Sequence, residues 1–329
     1  MPQTTYHDHC AHFADQLRPR PNCVIGKRPA SRTGRRRIDR PDVVIIAGMG
    51  GSGFAGDLLR HFSESLALPV PVIVWKNPGL PRLRFSRPLV VAVSHSGNTR
   101  ETLDAFRTAG RRGYRRGAAA TGGRLLAAAT VAGVPRARIP TLPRLTPREG
   151  VGYTYFALIE LLRTWFPNLR NPAFSHLMRF ESLERQAKQI ARELGRNDVS
   201  LFVSSNLTAV GYLWKLTLSE TAKRHATLEI LPEAAHNTIM GFVRPVYRTC
   251  AIFLAPWGTP DRTGAVVRKL IARQGTPTIP VTLRGSSLKE HTWNGILLGH
   301  LVALALAKRE KLDPSATALT DEVKRLVGR

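Results

Sequence analysis

The chain has 329 residues, 43% of them hydrophobic, and its 49 Lys and Arg against 23 Asp and Glu give a formal net charge of +26. That length and apolar content exclude a disordered or fibrous chain and leave room for about two domains of roughly 100–150 residues each. No apolar run reaches the ~18 residues of a membrane span, and the His-rich start lacks a signal-peptide core, so a cytoplasmic chain with no membrane partner is expected.

Cys10, Cys23 and Cys250 are scattered and odd in number, which fits a reducing compartment and packing roles. The basic excess is mostly arginine spread along the chain, densest at Arg35-Arg36-Arg37, Arg111-Arg112 and Arg115-Arg116, with no aromatic interleaving. Nucleic acid is therefore not the expected partner, since a basic footprint without a reading motif serves a phosphorylated small molecule equally well.

Residues 1–41 are polar and rich in Pro and Arg and read as a loosely structured lead-in. Within it, His7-x-His9-Cys10-x-His12 lacks the spacing of a tetrahedral site, and no metal is expected there. From 42 to 166, strands at 43–47, 70–75, 89–93, 118–121 and 137–139 alternate with helices from 53, over 99–109, over 125–131 and from 151. Residues 167–195 hold a charged, periodic helix over 174–194, read as an interdomain connector. From 196 to 329 a second alternation follows, with strands at 199–203, 228–231, 250–254 and 278–283 and helices over 207–222, 263–273, 288–309 and about 317–327. The expected class is α/β, with two domains, each a parallel sheet between helices of the flavodoxin or Rossmann kind.

Two strand ends carry the chemistry. Gly48-Met49-Gly50-Gly51-Ser52-Gly53 follows one strand and Ser94-His95-Ser96-Gly97-Asn98-Thr99 follows another, and each opens a helix. Helix starts present unpaired N–H groups and a positive dipole end, and Ser52, Ser94, Ser96 and Thr99 add neutral donors, so the predicted ligand is a phosphate monoester. The same four hydroxyls could instead cap the helices. Gly48-x-Gly50-x-x-Gly53 also matches a dinucleotide fingerprint, but the acidic residue expected about 20 positions on is replaced by Trp75-Lys76-Asn77.

With Thr121-Gly-Gly-Arg-Leu125, Pro147-Arg148, Glu220-x-Ala222-Lys223, Leu231-Pro-Glu-Ala-Ala-His-Asn237 and Asp321-Glu-Val-Lys324, the ordered set resembles the archaeal-type bifunctional phosphoglucose/phosphomannose isomerases, built from two sugar-isomerase (SIS) domains. The resemblance runs from about Val43 to the C-terminus. It implies interconversion of glucose 6-phosphate and mannose 6-phosphate with fructose 6-phosphate through a cis-enediol, without a cofactor. It implies that Gly51, Ser52, Ser94, Ser96 and Thr99 hold the sugar phosphate and that Glu220 moves the proton between C1 and C2. His236 would open the ring with Lys324, Arg148 would face the enediolate charge, and Thr317 would leave room for the rotation that admits both epimers. A homodimer is implied as well, with the histidine supplied across the interface.

Chemistry supports the carboxylate and the imidazole independently, since one base must reach both carbons and a ring-opening acid must work near neutral pH. Glu220 could otherwise be an i,i+3 partner of Lys223. His95, Thr221 and Leu213 depart from the family's usual Tyr, Asn and basic residue, and touch substrate preference more than reaction class. The competing reading is a non-catalytic SIS sensor of sugar phosphates. It would need a DNA-binding unit in residues 1–41, where the prolines of Arg18-Pro19-Arg20-Pro21 leave no helix–turn–helix pattern.

Overall fold

Strands β2 (Val43–Ala47) and β4 (Pro88–Ser94) are buried at every position. Apolar runs without polar alternation need cover on both faces, which places them at the centre of a parallel sheet. The computed structural model describes residues 5–19, 23–25, 40–82, 85–170, 177–258 and 261–327, and the chain divides into one unit of residues 12–174 and another of residues 1–11 with 175–329.

In the unit of residues 12–174 the sheet order is β1-β6-β5-β4-β2-β3, with β1 (Val24–Ile25), β3 (Val72–Trp75), β5 (Arg115–Ala120) and β6 (Arg136–Arg138). All pairs are parallel except β1 with β6. Counted from β2 this is the doubly wound order 2-1-3-4-5, whose direction reverses between β2 and β4. Helices α2 (Gly50–His61) and α5 (Val151–Leu162) cover one face, where Gly56 lies on Ile46 and Val74, and Gly117 lies under Leu161. The other face is covered by α3 (Arg100–Arg111) and α4 (Gly123–Val131), whose Phe106, Leu125 and Ala129 close over Ala92 and Ala118.

In the unit of residues 1–11 with 175–329 the strands β7 (Asp198–Ser204), β8 (Ala226–Leu231), β9 (Thr249–Pro256) and β10 (Thr278–Leu283) are all parallel, in the order β10-β9-β7-β8. Helix α8 (Arg262–Arg273) covers one face over the stacked Phe202 and Phe253 rings, whose centroids are 4.7 Å apart. Helices α7 (Thr208–Glu220) and α9 (Leu288–Arg309) cover the other. They pack closely because Gly299 leaves room for the Trp214 indole, whose Nε1 donates to Gly295 O at 2.8 Å. Helix α6 (Phe180–Leu194), read above as a connector, packs along α9, and α10 (Ala318–Val327) has no buried residue.

Three expectations are corrected. Helix α2 begins at Gly50 and not at residue 53: Ser52 and Gly53 both donate to Met49 O at 3.0 Å, so the glycines form the first helical turn. Helix α6 begins at Phe180, residues 171–176 lying outside the described part. Residues 6–17 are not loose. Tyr6 and Cys10, then Phe13 and Leu17, recur four residues apart and are buried by α1 (Tyr6–Ala11) and a short 3-10 helix, Phe13–Leu17. The Arg35-Arg36-Arg37 run lies outside the described residues.

Candidate functional site

The direction reversal between β2 and β4 leaves a crevice at their carboxyl ends, and the two hydroxyl-rich segments meet there. Ser52, in the first turn of α2, accepts from His95 N at 2.8 Å, tying that turn to the loop after β4. Ser94 Oγ lies 3.0 Å from Thr99 Oγ1 and accepts from Gly97 N at 3.1 Å, with the side chain almost fully buried. Ser94 therefore holds the loop, while exposed Ser96 and half-buried Thr99 present its hydroxyls. Capping does not explain them. Thr99 is the N-cap of α3 yet makes no side-chain capping bond, and the N-cap of α2 is Met49. Gly97, at φ 70°, is required where a Cβ would stand 1.9 Å from Gly122 O. Thr121 braces the same loop, its Oγ1 donating to His95 O at 2.7 Å.

Arg148 reaches this crevice through a second close approach. A Cβ on Gly51 would lie 2.8 Å from the Pro147 carbonyl carbon and 2.9 Å from Arg148 N, so only glycine lets the α2 start meet the Pro147-Arg148 peptide. Arg148 itself is 2% exposed. The turn beneath it is held by the buried Glu149 carboxylate, which accepts from Thr146 N at 3.0 Å and Thr146 Oγ1 at 2.5 Å. Gln16 adds a brace that sequence reading missed. Its Nε2 donates to Glu149 O at 2.9 Å, and its Oε1 accepts from Gly152 N at 3.1 Å. Burial pushes the His95 imidazole below its ordinary range, partly opposed by the Glu149 charge. Lys76, placed at the end of β3 where a nucleotide 2′-phosphate would be met, is held by Asp57 Oδ2 at 2.6 Å.

In the other unit, Glu220 is the last residue of α7 and is half-buried. Because α7 runs back along the sheet, its end lies at the amino-terminal ends of the strands. Lys223, at φ 53°, clamps this end with Nζ donating to Glu220 O at 2.5 Å and to Ala316 O at 2.6 Å, which draws Thr317 to the same place. The neighbouring Thr221 hydroxyl donates to the Tyr6 hydroxyl at 3.1 Å, and Tyr6 lies 2.7 Å from His300 Nδ1. No local pattern in the sequence signals these long-range ties.

Thr317 donates to Asp321 Oδ2 at 2.8 Å and Lys324 Nζ to Asp321 Oδ1 at 3.1 Å. The Thr317 bond first, and Lys324 second, hold the Asp321 carboxyl below the usual range. His236 lies elsewhere. It is exposed on the loop after β8, its N donating to Glu233 O at 2.9 Å. The six residues of β8 separate it from the Glu220 end of the unit by about 20 Å at ~3.3 Å per residue. Glu220, Thr317 and Lys324 thus gather at one end of this unit and His236 stands at the other.

Among the described residues no group of three or more His, Cys, Asp or Glu is arranged to hold a metal ion, and no helix is long and apolar enough to cross a membrane.

Comparison with known proteins follows the same lines. A model of the bacterial phospho-glucose isomerase C-terminal SIS domain matches residues 183–327. The bifunctional phosphoglucose/phosphomannose isomerase of Thermoplasma acidophilum is 30% identical over 326 residues, covering 97% of this chain and 98% of that protein. The enzyme of the same name from Pyrobaculum aerophilum is 36% identical over 214 residues, 64% of this chain and 65% of its own. Among solved structures, the C-terminal domain of glucosamine-fructose-6-phosphate aminotransferase from Francisella tularensis superposes with a TM-score of 0.68 at 12% identity, covering 95% and 98% of the two chains. Tagatose-6-phosphate ketose/aldose isomerase from Escherichia coli does so at 0.58 and 14%, covering 84% and 85%. These two likenesses bear on the fold alone.

Proposed function

The chain belongs to the bifunctional phosphoglucose/phosphomannose isomerase family, and from that premise we propose that it interconverts glucose 6-phosphate and mannose 6-phosphate with fructose 6-phosphate through a cis-enediol. The observation that carries the reading is the crevice between β2 and β4, where Ser52, Ser96, Thr99 and two helix starts without side-chain caps converge beside Arg148. A site built of neutral donors and helix dipoles suits a phosphate dianion and leaves the sugar end free for chemistry.

In this reading the 6-phosphate is held by the crevice. His236, assisted by Lys324, protonates the ring oxygen as the anomeric hydroxyl loses its proton, giving the open aldehyde. Glu220 takes the C2 proton, the electron pair forms the C1–C2 double bond, and the enediol oxygens exchange a proton. Glu220 then returns its proton to C1, leaving the ketone at C2. Fixed charge at Arg148 favours the enediolate over the ground state, which is where charge stabilisation accelerates a reaction. Rotation about C2–C3, for which Thr317 leaves room, presents either face of C2 and admits both epimers.

The reading includes a homodimer. Glu220 and His236 of one chain stand at opposite ends of a unit, so a site that uses both is completed by a second copy. The apolar stripe of α10, with Leu319 84%, Val323 59% and Leu326 57% exposed, is a surface a second copy would cover. A cytoplasmic location fits Cys10, Cys23 and Cys250, none of which is in a disulfide. A sensor is disfavoured because it leaves Glu220, His236, Arg148 and Lys324 without a role. The test is a coupled assay for fructose 6-phosphate from each aldose phosphate. Turnover of both is expected, and turnover of neither would leave only the sensor.

A further inference from the structure

A pocket of about 880 Å³ opens at the amino-terminal ends of β7, β8 and β9 and is lined by Arg196, Arg224, Arg248, Arg309 and Lys311, with Glu310 the only carboxylate among the described residues of the lining. Five cations against one carboxylate leave an excess of four positive charges in a concave space whose volume lies within the roughly 300–1,000 Å³ of small-molecule sites. Part of this cluster has an internal purpose. Arg309 Nη1 donates to Ala191 O at 2.7 Å and its Nη2 to Gly195 O, capping the end of α6. Arg224 is 7% exposed, donates to Asn197 O at 3.1 Å and pairs with Glu310.

The other three cations are not accounted for in that way. Arg196, Arg248 and Lys311 are exposed, and among the described residues no carboxylate or carbonyl of the protein takes their side chains; Arg248 only lies over the Tyr247 ring at 5.4 Å. Two of them also stand where a side chain is costly. Arg248 and Lys311 have φ of 55° and 56°, and Lys311 occupies the left-handed position after α9, closed by Leu312 N donating to Ala307 O, where glycine is the low-energy choice. Such positions cost on the order of 1 kcal/mol or more and concentrate at functional sites. A floor of guanidinium groups held in place, ringed by three uncommitted cations, matches bidentate phosphate recognition.

We propose that this pocket binds a small polyphosphorylated anion at a site separate from the sugar-phosphate crevice. A single phosphate monoester neutralises only about half of the excess, whereas a linked phosphate chain spans the lining and meets the three free cations together. Among the described residues the lining offers cations and the paired Glu310 and no other base or nucleophile, which fits a bound ligand better than a substrate.

Inorganic tripolyphosphate is the probe. It is titrated calorimetrically into the full chain at about 0.15 M salt, where charges beyond roughly 8 Å are screened. Saturable binding of one equivalent per chain is expected, unaffected by saturating fructose 6-phosphate. The doubly substituted Arg248→Ser, Lys311→Ser protein should bind at least about tenfold more weakly, the size expected for lost charge-assisted contacts. Lys311→Arg should keep the affinity. A control removing the same charge from α8, Lys269→Ser with Arg273→Ser, should bind as the parent does. Equal weakening in that control, displacement by fructose 6-phosphate, or displacement by a short DNA duplex would each overturn the proposal.

Discussion

At the scale of single residues, the crevice proposed to hold the phosphate separates hydroxyls that present from hydroxyls that hold. Ser96 is exposed with its proton free to donate, whereas Ser94 is buried and bonded to Thr99 and Gly97. Ser96→Ala should therefore raise KM for the sugar phosphates with kcat little changed, the sign of binding shared by ground and transition states. Ser94→Ala should raise KM and also lower the melting temperature, by an amount matching the roughly 1–3 kcal/mol of a buried group left unsatisfied. Steady-state kinetics paired with thermal melts distinguish the two. Gly51→Ala tests the close approach: its Cβ would stand 2.8 Å from the Pro147 carbonyl carbon. It should cost at least about tenfold in kcat/KM by displacing Arg148 and so losing its fixed charge. The crevice was legible because its residues follow strand ends in short motifs. Gln16 was not, since its bonds to Glu149 and Gly152 join a segment whose polar composition reads as loose.

Elements show the same contrast. Strand 278–283 and helix 288–309 were readable to their ends, because β10 and α9 are set by long apolar patterns with Ser287 as a conventional cap. Helix α2 was misplaced by three residues because glycine is a poor helix former, and here packing against the Pro147-Arg148 turn overrides propensity. Helix α1 is tied to the end of α7 by Tyr6, which lies 215 residues from Thr221 in sequence, a distance no periodicity encodes. Tyr6→Phe deletes the bonds to Thr221 and His300 together. It should lower the stability of the unit by about 1–3 kcal/mol in denaturant titration, and a variant as stable as the parent would make the tie incidental.

Helix α2 also carries a pH dependence. Burial pushes the His61 imidazole down to about 4, below the ordinary ~6.5 of an unfolded histidine. Between those values the unfolded chain binds the proton and the folded one does not, so stability is full above pH ~6.5 and falls as pH drops toward 4. The melting temperature should decline through that window, and His61→Phe should make the decline shallower. An unchanged slope would assign the acid sensitivity to other groups, His95 first.

For the whole molecule, the decisive feature is the placement of Glu220 and His236 at opposite ends of one unit. A dimer that shares its sites makes a sharp prediction. Glu220→Gln and His236→Ala homodimers, each nearly inactive, should regain activity when mixed and allowed to exchange subunits, because one of the two sites in each mixed dimer is then intact. No recovery despite demonstrated exchange would require a site within one chain. The repeat of a parallel α/β architecture could be read from the alternation of apolar runs, but the placement of Glu220 and His236 depends on the return path of α7, which shows only when the sheet is assembled.

In the proposed reaction Glu220 carries one proton between C2 and C1, and hydrogen exchange with solvent reports that step directly. In deuterium oxide, glucose 6-phosphate and the parent enzyme should yield fructose 6-phosphate with deuterium at C1, together with aldose labelled at C2. Glu220→Gln should lower both isomerisation and label incorporation by roughly 10²–10⁴, the worth of a general base, with sugar-phosphate affinity nearly intact. Incorporation at the parent rate in that variant would contradict the account and move the base to another carboxylate, with Glu233 the first to examine.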